Sequence, residues 1–259
     1  MDEVRKVPKV VFAGLASCFG CQINITNIED HLLDVLGQVD MQYWQLTSSD
    51  PMPEHFDVAV IEGAVTTDEA AETVKRLRDE ADVVITIGSC AKSAGIPGIA
   101  HREYEGRAED VYGEVPEIVG SIAQRPLAVS DVIDVDFEVP CCPIDPYDFV
   151  KTLHTALVGS NAYPRTATLC GECKNNGRGC FYADGVLCMG LLTQAGCGAK
   201  CPSLGRPCNG CAGLSADGNI EAAKYAANKA GIDPARIDFA LEMFNQKAMA
   251  SEEKQEVPA

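Results

Sequence analysis

Apolar residues fall in short, strongly patterned runs along the first 160 positions and thin out after them. Residues 9–15 (KVVFAGL) make a continuous apolar run of strand length, followed by the loop ASCFGC. Ile25, Ile28, Leu32, Val35 and Leu36 then recur at helical spacing and predict a helix over 23–36. Residues 41–46 and 57–61 read as further strands, the second ending in Glu62-Gly63. Thr66 to Glu69 has the pattern of a capping box, with Ala70, Val74 and Leu77 on the helix it opens. Residues 82–87 (DVVITI) are another apolar strand, ending in Gly88-Ser89-Cys90. Positions 91–124 are less regular and read as a long connection with a short helix near 117–122. Ile133, Val135, Phe137 and Val139 alternate with acidic residues, as in a strand with one wet face, and lead into Pro140-Cys141-Cys142-Pro143. Asp145 caps a helix with Pro146 at its first position and Phe149, Val150, Leu153 and Leu157 facing inward.

Alternating strand and helix predict an α/β fold, an open and largely parallel sheet with helices on both sides, over residues 1–160. Residues 161–259 form a second, secondary-structure-poor domain. Its segment from Cys170 to Cys211 holds eight of the thirteen cysteines, joined by links such as CKNNGRGC and CPSLGRPC. So little apolar surface is not expected to offset the entropy of ordering the segment, which calls for metal to hold it. A last amphipathic helix starts at Asp233-Pro234 and runs through Phe244, and residues 251–259 read as a frayed tail.

The formal charge of −17 argues against nucleic acid or an anionic membrane as the main partner. No apolar run reaches membrane-spanning length, so no membrane insertion is expected. The charged start leads straight into a strand without an export signal, which places the chain in the cytoplasm. Thirteen cysteines in that compartment point to metal or redox chemistry rather than disulfides.

Cys18, Cys21, Cys90 and Cys142 are far apart in sequence, yet each follows a predicted strand, and the strand ends of an open parallel sheet converge on one edge. They form the first candidate site, weighed against Cys90 and Cys142 being small core residues. The eight later cysteines divide without interleaving into Cys170, Cys173, Cys180, Cys188 and Cys197, Cys201, Cys208, Cys211. Cys141 joins no set. The ligands are all cysteine and several adjoin proline, which favours iron–sulfur clusters, while the CxxC pairs leave zinc open.

The motifs ASCFGCQ, VIEGAVTTDE, GSCAKSAGIPG and PCCPIDP resemble the small, electron-transferring subunit of nickel–iron hydrogenases, particularly the cytoplasmic, cofactor-coupled group. LCGEC, CMGLLTQAGCGAKCP and PCNGCAG continue the resemblance in order to about residue 213, and the following segment looks like the tail of sulfhydrogenase or NADP-linked delta subunits. It implies a flavodoxin-like domain with a proximal 4Fe–4S cluster on Cys18, Cys21, Cys90 and Cys142. It also implies a distal cluster on Cys170, Cys173, Cys180 and Cys188 and a medial one on Cys197, Cys201, Cys208 and Cys211. Periplasmic relatives have histidine at the place of Cys170 and lack a thiol at that of Cys201, so cysteine at both implies three four-iron clusters. Cys141 stands where relatives commonly have glycine, Ser17 where periplasmic ones often have glutamate, and SAGIPG replaces a double-glycine loop.

The resemblance further implies a large subunit bearing the nickel–iron centre, with electrons passing from it by way of the three clusters to a flavin- and NAD(P)-binding or other electron-accepting partner. No catalytic residue is expected in this chain. Glu62 reads as a proton relay near the subunit interface or, preferably, as an ordinary loop carboxylate facing solvent. His101 and Trp44 read as structural. Two other readings are a single-cluster subunit related to respiratory complex I and a zinc-stapled scaffold.

Overall fold

Five of the apolar runs hydrogen-bond into one parallel sheet. The computed structural model describes residues 7–99, 113, 122–161 and 165–245, and the chain divides into the units Met1–Ala162 and Tyr163–Ala259. In the first unit the strands are β1 (Lys9–Gly14), β2 (Asp40–Trp44), β3 (Phe56–Glu62), β4 (Val65–Thr67), β5 (Ala81–Ile87), β6 (Ile122–Leu127) and β7 (Phe137–Val139). The sheet order is β2-β1-β3-β5-β7, and β4 pairs with β6 in a separate antiparallel ribbon. Counting sheet members alone, this is the 2-1-3-4-5 order of flavodoxin-like folds, whose ligands bind at the carboxyl edge of the strands. The expected α/β class is therefore the observed one.

Side-chain alternation assigns each strand residue to a face. Val10, Phe12, Val58, Val60, Ile85 and Ile87 point to one core with Trp44, Phe149 and Leu153. Val11, Ala13, Ala59, Ile61 and Val84 point to the other, with Val74 and Leu77. Trp44 stacks on Phe12 at 4.8 Å, which bears out its structural role. His101 lies outside the described residues.

The helices of this unit are α1 (Gly20–Thr26), α2 (Leu32–Leu36), α3 (Asp68–Glu80), α4 (Gly88–Ser93), α5 (Gly95–Gly98) and α6 (Pro146–Leu157). Helix α6 begins as expected, with Asp145 accepting from the N–H groups of Tyr147 and Asp148. Three expectations need correction. The helix over 23–36 is broken into α1, a 3-10 turn at Glu29–His31, and α2. Thr26 Oγ1 bonds back to the Ile23 carbonyl and Glu29 takes φ 39°, which ends the helical ladder between them. The cap of α3 is Thr67, not Thr66, accepting from Ala70 N at 3.1 Å. The strand expected over 133–139 is only β7: the Asp136 carboxylate takes the Val84 N–H at 2.8 Å and pairs with Arg78 at 2.6 Å, so sheet pairing starts at Phe137. Of the helix expected near 117–122, residues 117–121 lie outside the described residues and Ile122 opens β6.

The second unit has the short helices α7 (Cys170–Cys173) and α8 (Lys200–Ser203), then α9 (Ile220–Lys229) and α10 (Ala235–Glu242). Contrary to expectation, the cysteine-rich segment does share a core. Leu169, Met189 and Leu192 pack with Ile232, Ile237 and Leu241 and with the small Ala223 and Ala227. Helix α9 is easily missed in sequence because its buried residues are alanines. The tail 251–259 lies outside the described residues. Among those residues no helix is long and apolar enough to cross a membrane.

The register of the α3 cap is testable. Thr67→Ala is expected to lower stability by about 1 kcal/mol, and Thr66→Ala by less than half of that, in chemical denaturation; the reverse order would restore the sequence-based cap.

Candidate metal centres

Parallel pairing brings the carboxyl ends of β1, β5 and β7 to one edge. Cys18 and Cys21 follow β1, Cys90 lies in the first turn of α4 directly after β5, and Cys142 follows β7. Cys21 is buried and Cys90 half-buried, while Cys18 and Cys142 are exposed. Burial pushes the Cys21 thiol well above its ordinary range, Glu62 adds to this, and Cys142 and Cys90 contribute further. Cys90 is pushed up to about 11, by burial first and then by Cys142 and, more weakly, Cys18. The four thiols are thus close enough for their charges to act on one another. Backbone N–H groups of Ile144 and Ile96 oppose the rise at Cys21 and Cys90 respectively, as donors to sulfur. Gly88 has φ 83°, and a Cβ there would stand 2.6 Å from Cys21 Sγ, so α4 starts beside that sulfur only because the residue is glycine. Cys141 is also buried, at φ 95°, and its carbonyl accepts from Ser89 N.

Glu62 ends β3, between β1 and β5, and is only 2% exposed. The solvent-facing carboxylate expected from sequence is therefore corrected. Its two oxygens accept from Cys21 N at 3.2 Å and Gln22 N at 3.1 Å. Phe19, at the cap position of α1, has no side-chain acceptor to offer. A carboxylate from the neighbouring strand satisfies the first N–H groups of that helix instead, and so fixes the Cys21 backbone. Gln22, fully buried, accepts from Trp44 Nε1 at 2.8 Å. Its place directly after Cys21 on a helix was the available signal, and sequence reasoning passed over it.

In the second unit Cys170 is pushed up to about 11 by burial, then by Cys188, Cys173 and Cys180, while Lys174 pulls it down. These four line a cavity of about 520 Å³ together with Phe181 and Tyr182. Tyr182 is pushed up to about 12 by burial and by Cys188, Cys170 and Cys180, which keeps it a neutral phenol. Cys201 is raised by burial and by Cys211 and Cys197. Cys208 is raised to about 12 by burial, opposed by Thr193, with Cys188 and Cys211 adding to the rise. Cys208 N donates to Cys188 Sγ at 3.2 Å, and Cys188 also acts on the Cys201 thiol, so these cysteines adjoin one another. Buried Thr193, which the sequence did not single out, lies 3.4 Å from Cys208 Sγ. Among the described residues no three His, Cys, Asp or Glu side chains converge tightly enough to hold a single metal ion.

Two measurements follow on the protein stripped of metal. Glu62→Ala removes an acceptor from two buried N–H groups and is expected to cost about 2–4 kcal/mol in denaturation, with Glu62→Gln losing less; a cost under about 0.5 kcal/mol would fit a solvent-facing side chain. The raised thiols favour the folded chain only while protonated. That contribution is whole below the ordinary value of 9.0 and is lost as pH rises through about 11 at Cys90 and Cys170. Melting temperature is expected to fall across that window, less steeply in Cys90→Ser/Cys170→Ser; equal slopes would count against buried thiols.

The family model "NADH ubiquinone oxidoreductase, 20 Kd subunit" matches residues 18–156. A subunit of the F420-non-reducing hydrogenase of Methanocaldococcus jannaschii is 32% identical over 85% of this chain and 86% of its own. Sulfhydrogenase 2 subunit delta of Pyrococcus furiosus is 32% identical over 80% of this chain and 86% of its own. Among solved structures, an NAD+-reducing [NiFe]-hydrogenase matches with a TM-score of 0.54 and 24% identity, over 61% of this chain and 95% of that one. The [NiFeSe] hydrogenase of Desulfovibrio vulgaris Hildenborough matches with a TM-score of 0.56 and 18% identity, over 81% and 94%. At those identities the structures speak for the fold. The family model and the sequence relatives speak for descent: this chain belongs to the family of hydrogenase small, electron-transferring subunits, which shares its model with the 20 kDa subunit of NADH ubiquinone oxidoreductase.

Proposed function

We propose that this chain relays electrons in a cytoplasmic nickel–iron hydrogenase and holds three 4Fe–4S clusters, one in residues 1–160 and two in residues 161–259. Cys18, Cys21, Cys90 and Cys142 would hold the proximal cluster, Cys197, Cys201, Cys208 and Cys211 the medial one, and Cys170, Cys173, Cys180 and Cys188 the distal one. The observation that supports the reading is that the thiols at the sheet edge act on one another, as do those between Cys170 and Cys211. The donor sets fit such clusters: all are thiols, several with backbone N–H donors. When bound, the clusters supply one-electron transfer.

The chain's own residues hold and insulate. Glu62 positions Cys21, and because both its oxygens take backbone donors, its part in this proposal is positioning and not proton transfer. N–H donors to the sulfurs offset anionic charge that burial would otherwise expel. The hydrogenase names of the relatives support a large subunit carrying the nickel–iron centre, and those that name F420-non-reducing or NAD-reducing activity support a flavin- and NAD(P)-binding or other soluble electron-accepting subunit. The family model covers only the first unit and favours a second reading, a complex I-like subunit with a single cluster at the sheet edge.

Iron, acid-labile sulfide and zinc per chain, measured on anaerobically purified complex, separate the readings. About twelve iron and twelve sulfide are expected, and Cys90→Ser or Cys180→Ser should each lower iron by about four. About four iron in total would favour the single-cluster reading. Two or three zinc with little sulfide would overturn both in favour of a zinc-stapled scaffold.

A further inference from the structure

We propose that the Thr193 hydroxyl is a turnable hydrogen-bond donor to the sulfur of Cys208 and sets the reduction potential of the cluster this cysteine would hold. The inference rests on the proposed function and concerns that one cluster.

Of the eight cysteines from Cys170 to Cys211 only Cys208 is buried. Water has little access to its sulfur, so protein donors decide its surroundings. Two groups reach it: the Gly210 N–H donates at 3.4 Å, and Thr193 Oγ1 lies 3.4 Å away. Thr193 is itself 2% exposed, and its backbone is pinned on both sides. Its N–H donates to the Met189 carbonyl at 2.9 Å, and its own carbonyl accepts from Leu169 N at 2.8 Å. A threonine side chain is stiff about its first bond, so Oγ1 is held in place and only its hydrogen is free to turn.

The hydroxyl donates to the Met189 carbonyl at 2.7 Å. Threonine often bonds back to a carbonyl four residues earlier, and that contact alone would need no further explanation. Here the Met189 carbonyl already accepts from Leu192 N at 3.0 Å as well as from Thr193 N. Those two donors match the two lone pairs of a carbonyl oxygen, so Met189 is left with no orphan if the hydroxyl turns away. The same hydroxyl oxygen touches the one buried sulfur of the segment. A Cys208 thiol carries a hydrogen and can donate it to Oγ1. A metal-bound thiolate has none, and the hydroxyl is then placed to donate to the sulfur instead. A hydrogen bond to charged sulfur favours the more negative form, which is the cluster with one electron added. The hydroxyl keeps its proton throughout, and no covalent bond forms or breaks.

The test is a redox titration of the anaerobically purified complex, followed by electron paramagnetic resonance, in wild type, Thr193→Val and Thr193→Ser. Valine keeps the shape of threonine without the hydroxyl, and serine keeps the hydroxyl. In Thr193→Val one reduction step is expected to become about tenfold less favourable, which is about 59 mV for a one-electron couple. It should be the step that Cys208→Ser also perturbs, with the other steps unmoved, Thr193→Ser at the wild-type value and iron per chain unchanged in both Thr193 variants. Thr193→Ala, which cannot crowd the sulfur, is titrated beside them and should shift the same step in the same direction. Unchanged potentials in Thr193→Val and Thr193→Ala, an equal shift in Thr193→Ser, or a shift in a step that Cys208→Ser leaves alone would overturn the inference. Loss of about four iron per chain from both hydroxyl-free variants, with Thr193→Ser intact, would overturn it in favour of a purely structural role. A wild type without four-iron signals would instead count against the proposed relay, and shows itself before any variant is compared.

Discussion

Thiolates repel one another, and burial makes each of them more costly. A chain that brings part-buried thiols together at a sheet edge, and again between Cys170 and Cys211, has to manage that repulsion. Cys21, Cys90 and Cys170 all have burial as the main cause of their raised pKa values, and neighbouring thiols add to it. In the protonated state the groups are tolerable, and with cations between them they become favourable. Under the proposed function, the apoprotein and the cluster-loaded protein would be stabilised by opposite protonation states of the same residues.

Glu62 fits the same constraint in the first unit. A buried carboxylate beside Cys21 makes that thiol harder to ionise, which is an odd neighbour for a residue proposed to bind metal. Its position follows from the fold: α1 starts after Phe19, whose side chain cannot cap, and the nearest acceptor is the last residue of β3. Fixing the backbone of Cys21 and Gln22 outweighs an unfavourable charge that bound metal would cancel.

Much of this was legible in the sequence. Buried parallel strands are continuous apolar runs, so β1, β3 and β5 were visible to within a residue or two, and with them the convergence of Cys18, Cys21, Cys90 and Cys142 on one edge. What escaped depended on side chains that act at a distance. No local pattern says that the Asp136 carboxylate replaces a strand carbonyl for Val84, or that Glu62 caps a helix forty residues earlier. Helix α9 escaped for a different reason: alanine buries too little surface to stand out, yet Ala223 and Ala227 let the helix approach Leu169 and Met189 closely. Gly88-Ser89-Cys90 read only as the end of a strand, whereas here the glycine lets a helix begin against a sulfur.

The uneven charge has a consequence for any relay built on this chain. The cysteine edge of the first unit belongs to a domain with a net charge of −17, and the Cys170–Cys188 group to a unit whose charges balance. Negative surroundings disfavour an added electron, while nearby Lys174, Arg178 and Lys229 favour one. The two thiol regions thus belong to units of different net charge, whatever hydrogen bonds reach a particular sulfur: 11 Lys and Arg stand against 28 Asp and Glu in residues 1–162, and 10 against 10 in residues 163–259. Under the proposed function, this difference would favour an electron at a cluster held by the Cys170–Cys188 group over one at the sheet edge.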